Sequence, residues 1–540
     1  MTDQPTDSDQ PASTEATTAA VAEAVTEAAG VAAGEAADAV RESEVIVVGA
    51  GPTGLLLAGD LAAAGVRVTV LERRGTESNL TRAFTVHART LEQLDARGLA
   101  DELLATGSTL SSMRLFSKLT VDFSRLPSRF PFVLITPQSH TERLLQERAV
   151  KAGAELLRDH EVTALRQDAD GVTLEVRTAA GPVTHRAAYV VGTDGVRSTV
   201  RELLGIPYPG ESVISSVLLA DVRLERAPQD VLTVRATEAG FGFLSPFGDG
   251  WYRVIAWDRT RQLPDDAPVE LAEIADIARR TLGEDYGMHD ARWMSRFHSD
   301  ERQVARYRDG RVLLAGDAAH CHSPAGGQGM NTGLQDAANL GWKLAAVVHG
   351  WAPDGLLDSY QDERHPVGKS VLRSSGTLIR LALARSAATR AVRSALTSLS
   401  DQLGPLVSRG ARTISGIGIS YPAGPGAHPL AGHRMPDLRL ASDRPGRPAR
   451  LYEALREGKF VLVTTDERAP GAPFSGLEAA VTEPWADRLV HAAPADPHGK
   501  LRSTVLLVRP DGYAAWAAAD PSRAELRTAL VHWLGRPSVD

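Results

Sequence analysis

Val45-Ile46-Val47-Val48-Gly49-Ala50-Gly51-Pro52-Thr53-Gly54 is the stretch from which the rest of the chain can be read. Its first four residues are apolar and β-branched, the composition of a strand buried on both faces. A G-x-G-x-x-G turn follows at once. Residues 55–64 then read as a helix closed by Gly65, and residues 66–71 as a second strand ending at Glu72. Strand, glycine turn, helix, strand and acid in this order make half of a dinucleotide-binding unit. The three glycines differ in what they allow. Gly49 permits the tight turn, Gly51 lets a pyrophosphate approach the backbone, and Gly54 lets the helix lie close to the strand. The phosphates belong beside Thr53, at the helix N-terminus, where free N–H groups and the helix dipole favour negative charge. Glu72 is placed to take ribose hydroxyls.

The chain has 540 residues, enough for about two to four domains around a large core. A net charge of −8 argues against nucleic acid as a main partner, and no basic run suggests a membrane surface. No apolar run approaches the length of a transmembrane helix. The single cysteine, Cys321, rules out an internal disulfide and fits a reducing cytoplasm.

Residues 1–42 are rich in Ala, Thr, Glu and Asp and carry few large apolar side chains, so a disordered tail is expected. The competing reading is a partner-docking helix over residues 19–37. After the first βαβ unit, Arg73, Arg74, Arg82 and Arg89 make a basic stretch leading into a helix expected over residues 90–104. Solvated charge and phosphate contact both account for these arginines, and His87 among them reads as a surface histidine. Gln138, at the start of a helix expected over residues 141–151, fits either a cap or a cofactor contact. A further buried strand runs into Asp194-Gly195-Val196-Arg197-Ser198. An acid at a strand's C-terminal end sits where α/β sheets bind ligands.

Residues 212–302 read as short strands with one helix and concentrate aromatics: Phe241, Phe243, Phe247, Trp251, Tyr252, Trp257, Trp293 and Phe297. Core packing explains most of them, while an aromatic-lined antiparallel sheet would also suit a flat apolar substrate. Residues 311–317 return to a buried strand ending at Asp317. A loop over residues 318–329, with Pro324 and Gly326-Gly327-Gln328-Gly329, leads into a helix that begins Met330-Asn331. His320, Cys321 and His322 suggest metal only superficially, because three adjacent loop residues chelate poorly. Long helices are expected over residues 356–403, a linker from 421, and then a smaller α/β unit.

These separated motifs resemble the FAD-dependent aromatic hydroxylases of the para-hydroxybenzoate hydroxylase type, especially those acting on aromatic polyketides in antibiotic pathways. The matching stretches are Gly49 to Glu72, Asp194 to Ser198, and Gly316-Asp317-Ala318-Ala319-His320 with Pro324 and Gly327 to Asn331. Asp336-Ala337, Trp342-Lys343-Leu344 and Asp358-Ser359-Tyr360 through Glu363-Arg364 extend the likeness. The resemblance implies an α/β protein in which a Rossmann-like FAD-binding domain (43–211 and 303–420) carries an inserted antiparallel-sheet substrate domain (212–302, with help from 108–135). Long helices and a thioredoxin-like C-terminal domain without cysteines (421–540) complete it. It implies an NAD(P)H-consuming monooxygenase that uses O2 to hydroxylate a phenolic polycyclic aromatic substrate, as a monomer or homodimer. Baeyer–Villiger oxidation or antibiotic inactivation is the nearest alternative, and a flavin-binding protein without turnover the remote one. Glu72 and Arg73 would hold the adenosine ribose, and Arg89 and Gln138 would touch the flavin's phosphate, ribityl or ring region. Asp317 would bind the ribityl chain, while Pro324, Gly327, Gly329, Met330 and Asn331 would face the isoalloxazine. Asp194 and Arg197 belong to a motif associated with both FAD and the transient NADPH or NADH.

Overall fold

The computed structural model describes residues 40–76, 83–115, 119–228, 232–247, 249–324, 326–382, 404–442, 446–464, 481–496, 499, 501 and 504–537. The tail expected over residues 1–42 therefore lies outside the described residues up to 39, as does Arg82.

The chain begins with β1 (Arg41–Val48), α1 (Pro52–Ala63) and β2 (Val68–Glu72), then α2 (Ala88–Asp95), α3 (Gln138–Lys151), β3 (Glu155–Arg158) and β4 (Gly181–Gly192). A long excursion follows through β5 (Gly210–Leu224), β6 (Thr233–Ala236), β7 (Gly240–Pro246), β8 (Tyr252–Asp258), α4 (Leu271–Leu282) and β9 (Met288–Gln303). The chain then re-enters the first sheet with β10 (Arg308–Asp309) and β11 (Val312–Leu314), and continues into α5 (Gly329–Val348) and α6 (Ser359–Ala382).

The first sheet has the order β10-β11-β4-β1-β2-β3, with a hairpin of residues 161–178 hung on β4. Apart from β10 its main strands are parallel. The register decides the function of this sheet. Val48 lies opposite both Leu71 and Gly192, and Gly192 lies opposite Leu314. Four strands thus end level, and the residues just beyond them, Gly49, Glu72, Thr193 and Ala315, share one edge. Val45, Ile46 and Val47 of β1 are wholly buried, as a strand covered on both faces requires. α1 packs against α3 and α5.

The second sheet is antiparallel, in the order β6-β7-β8-β5-β9 with His320–Cys321 at its edge. Side-chain alternation divides it cleanly. Leu218, Ala220, Val222, Val254 and Ala256 face α4, which covers them with Ile274, Ile277, Ala278 and Leu282. Val217, Leu219, Ile255 and Trp257 line the opposite face together with Phe241, Phe243, Trp293 and Phe297, and this face meets Phe84 and Ile379.

The C-terminal unit has β12 (Phe460–Val463), β13 (Leu489–Ala492), β14 (Thr504–Val508), β15 (Ala514–Ala519) and α7 (Arg523–Leu534). Its order is β13-β12-β14-β15, parallel between β12 and β13 and antiparallel elsewhere. Ser522 opens α7 with a capping box closed by Glu525, and Gly535 follows its end.

Several expectations are corrected. The helix expected over residues 90–104 is two, Ala88–Asp95 and Ala100–Leu104, because the chain turns at Gly98 with φ +75°. Residues 108–135 do not join the large antiparallel sheet. Ser108–Leu110 and Val133–Ile135 pair with each other, Val133–Ile135 also pairs with Thr85–Val86, and Ser112–Leu115 pairs with Leu119–Asp122. The loop expected over residues 318–329 contains the short edge strand His320–Cys321. Of the long helices expected over residues 356–403, α6 is described to Ala382 and residues 383–403 lie outside the described residues. Among the described residues, no helix is long and apolar enough to cross a membrane.

Candidate functional site

The glycine turn between β1 and α1 behaves as its spacing predicts. Gly49 has φ +103°, and a Cβ there would come within 2.7 Å of Thr193 O. A Cβ on Gly54 would overlap Gly49 O, whereas one on Gly51 would meet nothing within 4 Å. The turn is therefore closed where it must pack and open where a phosphate must approach. Thr53 bridges to the third motif: its hydroxyl lies where a Cβ on Gly316 or Gly333 would stand.

Glu72 is nearly fully buried at the end of β2. The Ala50 N–H donates to its Oε2 at 2.8 Å, and the N–H and Nε of Arg74 each donate to Oε1 at 2.9 Å. Burial alone would raise this carboxyl, but those hydrogen bonds outweigh it and hold the group below the usual carboxylate range. The carboxylate thus couples the end of β2 to the glycine turn. Arg74 is the cation beside it, and the expected Arg73 is exposed.

Asp194 stands at the end of β4 and organises the next helix. Its carboxylate accepts Ser198 Oγ–H at 2.5 Å and the Val200 N–H at 3.1 Å, while Ser198 Oγ caps Arg201 N–H at 3.0 Å. Burial raises its pKa. Arg197, beside it, is exposed. Asp317 sits in the turn Gly316–Ala318 after β11 as an exposed residue, and its carbonyl accepts the Tyr208 hydroxyl at 2.8 Å.

The second glycine loop is fastened to residues 85–87. The His87 N–H donates to Asn331 Oδ1 at 2.8 Å, and His87 Nε2 lies 2.8 Å from Gly326 O. Asn331 Nδ2 donates to Thr85 O at 2.8 Å and Gly327 O at 2.7 Å. Gly327 has φ +63° and packs so closely on Thr85 that a Cβ would lie 2.9 Å from the Thr85 Cβ. The Asn331 side chain is engaged within the protein, so its backbone N–H and those of Gly329 and Met330, at the start of α5, are the groups left to meet a ligand. Pro324 is exposed on the same loop. His87 is not the surface residue expected; it is buried, which pushes its pKa down to about 4. Nothing in the local sequence distinguishes it, because the loop it holds is far away in the chain.

The Arg89 side chain is engaged within the protein: its guanidinium is fully buried, donating to Glu92 Oε2 at 2.9 Å, Tyr452 Oη at 2.7 Å and Asp511 O at 2.5 Å. Gln138 ties the start of α3 to the Phe84 segment: the Ala83 N–H donates to its Oε1 at 2.9 Å and its Nε2 donates to Glu142 at 2.8 Å. Sequence reasoning gave no role to Asp336 and Arg364 beyond membership of a motif. Asp336 Oδ2 accepts the Gly316 N–H at 3.1 Å and lies 2.6 Å from His320 Nε2, and its Oδ1 accepts Arg364 Nε–H at 2.6 Å. His320 is therefore a partner of a buried carboxylate on α5.

The residues present fit a flavin dinucleotide. An open glycine turn, an acid one strand away, a second acid at Asp317 and a helix start carrying N–H groups line one sheet edge. Beyond the second loop stands the aromatic face of the antiparallel sheet, joined to it through Phe84, whose ring lies 5.2 Å from that of Phe243.

Comparison with known proteins agrees. A family model described as an FAD binding domain matches residues 42–375, and one described as an aromatic-ring hydroxylase C-terminal region matches residues 428–537. The chain belongs to the FAD-binding aromatic-ring hydroxylases and is an FAD-dependent monooxygenase. It is 40% identical to the 12-dehydrotetracycline 5-monooxygenase/anhydrotetracycline 6-monooxygenase of Streptomyces rimosus, over 92% of this chain and 99% of the relative. It is also 40% identical to the rifampicin monooxygenase of Streptomyces venezuelae, over 91% of this chain and 98% of the relative. The solved structure of an anhydrotetracycline hydroxylase from Streptomyces rimosus superposes with a TM-score of 0.81 at 40% identity, covering 92% of this chain and 100% of that one.

Proposed function

We propose that this monooxygenase consumes NAD(P)H and hydroxylates a phenolic, polycyclic aromatic molecule of the polyketide type. The observation that carries the reading is the aromatic face of the antiparallel sheet. Phe241, Phe243, Trp257, Trp293 and Phe297 share it with Phe84, and Phe84 adjoins Thr85, on which Gly327 packs. A flat fused-ring molecule matches such a surface by area and by ring stacking. The tetracycline and rifampicin relatives support the same class.

Bound FAD supplies acceptance of hydride from NAD(P)H and activation of O2. The protein's contribution is binding, orientation and exclusion of water. Glu72, with Arg74 beside it, holds the ribose, Asp317 the ribityl hydroxyls, and the Gly49–Gly54 turn the pyrophosphate. The N–H groups of Gly329, Met330 and Asn331 take the pyrimidine edge and favour negative charge there. Pro324 and Gly327 line the reacting side, and the aromatic face keeps water from it. Gln138 would contact the flavin, and Asp194 and Arg197 would serve both FAD and the nicotinamide cofactor. The C-terminal unit reads as thioredoxin-like from its mixed sheet and flanking helix. It contains no cysteine, so its role there is not thiol chemistry.

Incubation with NADPH or NADH, O2 and a panel of polycyclic phenols should give a product heavier by one oxygen, placed on a ring carbon by NMR. Phe243→Ala should raise KM for that substrate while leaving FAD content unchanged. The rifampicin monooxygenase likeness supports a second reading, oxidative inactivation of an aromatic antibiotic. Oxygen inserted between a ring carbon and a carbonyl, or loss of antibiotic potency on turnover, would favour it.

A further inference from the structure

The turn joining β14 to β15, Arg509-Pro510-Asp511-Gly512-Tyr513, reaches out of the C-terminal unit into the flavin-binding body. Arg509 and Asp511 have side chains only 2% and 1% exposed. Arg509 donates from Nη1 and Nη2 to the two oxygens of Glu363, on α6, at 2.7 and 2.9 Å, and from Nε to Asp511 at 2.9 Å. Two residues of α5 complete the cluster: Lys343 Nζ reaches Glu363 Oε2 at 2.9 Å and Asn339 Nδ2 reaches it at 2.6 Å. Trp342, Tyr421, Tyr513 and Trp533 surround the Arg509 guanidinium at 5.1 to 5.9 Å.

The same turn grips α2. The Asp511 carbonyl accepts Arg89 Nη2–H at 2.5 Å and Gln93 Nε2–H at 2.8 Å, and the Arg89 guanidinium lies 4.8 Å from the Tyr513 ring. A third path runs to the Gly316 turn. Tyr513 packs 4.2 Å from Tyr421, whose hydroxyl accepts Arg364 Nη1–H at 3.2 Å, and Arg364 holds Asp336, which holds the Gly316 N–H.

Each path ends at the flavin cradle. α5 begins at the loop with Gly329 and Asn331. α2 is preceded by His87, which is bonded to Gly326 and Asn331. The Gly316 turn presents Asp317. Two cations and two carboxylates balanced in a buried site tolerate little displacement, because each group stripped of its partner is left buried and uncompensated.

We propose that Arg509 and Asp511 are positioning residues for the flavin. The hairpin turn holds α2, α5 and the Gly316 turn in one arrangement, so the C-terminal unit tunes cofactor binding and coupling. This rests on the reading that residues 326–331 face the flavin.

The test uses the full-length holoenzyme. Arg509→Met, Arg509→Lys and the charge-balanced double variant Glu363→Gln with Arg509→Gln are compared with Ile277→Ala, which opens a cavity under α4 in an apolar cluster that contains no residue of α2, α5 or the C-terminal unit. FAD dissociation constant, flavin visible spectrum, and the share of NAD(P)H electrons appearing as H2O2 are measured beside the melting temperature. Arg509→Met and the double variant should weaken FAD binding by about tenfold or more, shift the flavin band and raise H2O2 release. Arg509→Lys should recover part of each. Ile277→Ala should lower the melting temperature alone. If Arg509→Met does not fold, the double variant decides. FAD affinity within about twofold of the parent, with unchanged spectrum and coupling in a folded Arg509 variant, overturns the proposal. Asn331→Ala separates the two readings: an unchanged flavin spectrum in that variant removes the premise about the loop, whereas a changed one beside a silent Arg509 removes only the role of the turn.

Discussion

Asp317 is the clearest single-residue case. Its carbonyl accepts the Tyr208 hydroxyl and the residue is exposed at the sheet edge, so a ligand can reach it. A charge-assisted hydrogen bond is worth about 1.5–3 kcal/mol, or one to two decades of affinity. Asp317→Ala should therefore weaken FAD binding by about 10- to 100-fold and leave the melting temperature of the apoprotein unchanged. An unaltered dissociation constant would remove Asp317 from the cradle. The histidines lead to a different expectation. Burial lowers His87, His185 and His322 from 6.5 to about 4. Between those values the unfolded chain binds more protons than the folded one, so stability is complete above pH 6.5 and falls as pH drops toward 4. The slope is at most about 1.4 kcal/mol per pH unit for each such group. His185 has neither ring nitrogen hydrogen-bonded. Melting curves from about pH 8 to about pH 4.5 should show this acid loss, and His185→Leu should flatten it.

At the scale of elements, the glycine turn separates packing from binding. A Cβ at Gly54 overlaps the carbonyl of Gly49, so Gly54→Ala must push α1 off β1 and lower both the melting temperature and FAD content. Gly51→Ala meets no protein atom. It should keep the melting temperature of the apoprotein and still lose FAD affinity, because the methyl occupies the approach of the pyrophosphate. If both variants behaved alike, the division of labour within the turn would be wrong. The antiparallel sheet shows the same economy. One face is sealed by α4, and strand alternation leaves the other lined with aromatics.

For the whole molecule, the C-terminal unit is continuous with the body rather than appended to it. Trp342 and Ala346 of α5 belong to the same apolar cluster as Phe460, Trp485 and Leu530. Glu363 is held down to about 2, because Arg509 and Lys343 outweigh the burial that would otherwise raise it. A chain ending near Tyr421 would lose Arg509 and leave Arg89 and Glu363 with some of their partners missing. Breaking a buried pair costs about 3–5 kcal/mol, and exposed apolar surface adds to the loss. The truncated chain should aggregate or bind FAD poorly, with no response to thiol reagents. A soluble, fully coupled enzyme from that truncation would show the interface to be dispensable.

Much of this was legible along the chain, and the reason is local. Residues 45–72 carry strand period, glycine spacing and acid within one short segment, and Gly49, Gly51, Gly54 and Glu72 stand in the structure where that spacing puts them. Asp194 and Asp317 announced themselves as acids at strand ends. The aromatics over residues 241–297 could be collected from the sequence, but only strand pairing put five of them on one face with Phe84. His87 and Arg89 show the limit. Two residues apart in one basic stretch, the first reads as a surface histidine and the second as a flavin contact. Yet one pins the loop 239 residues away at Gly326, and the other reaches 422 residues to Asp511. The sequence by itself determined the strand, glycine turn, helix and strand of residues 45–72, because short-range backbone geometry dictates them. Which polar side chains turn inward to join the C-terminal hairpin to the cradle was decided only by the tertiary structure, because burial and pairing depend on what the fold brings alongside.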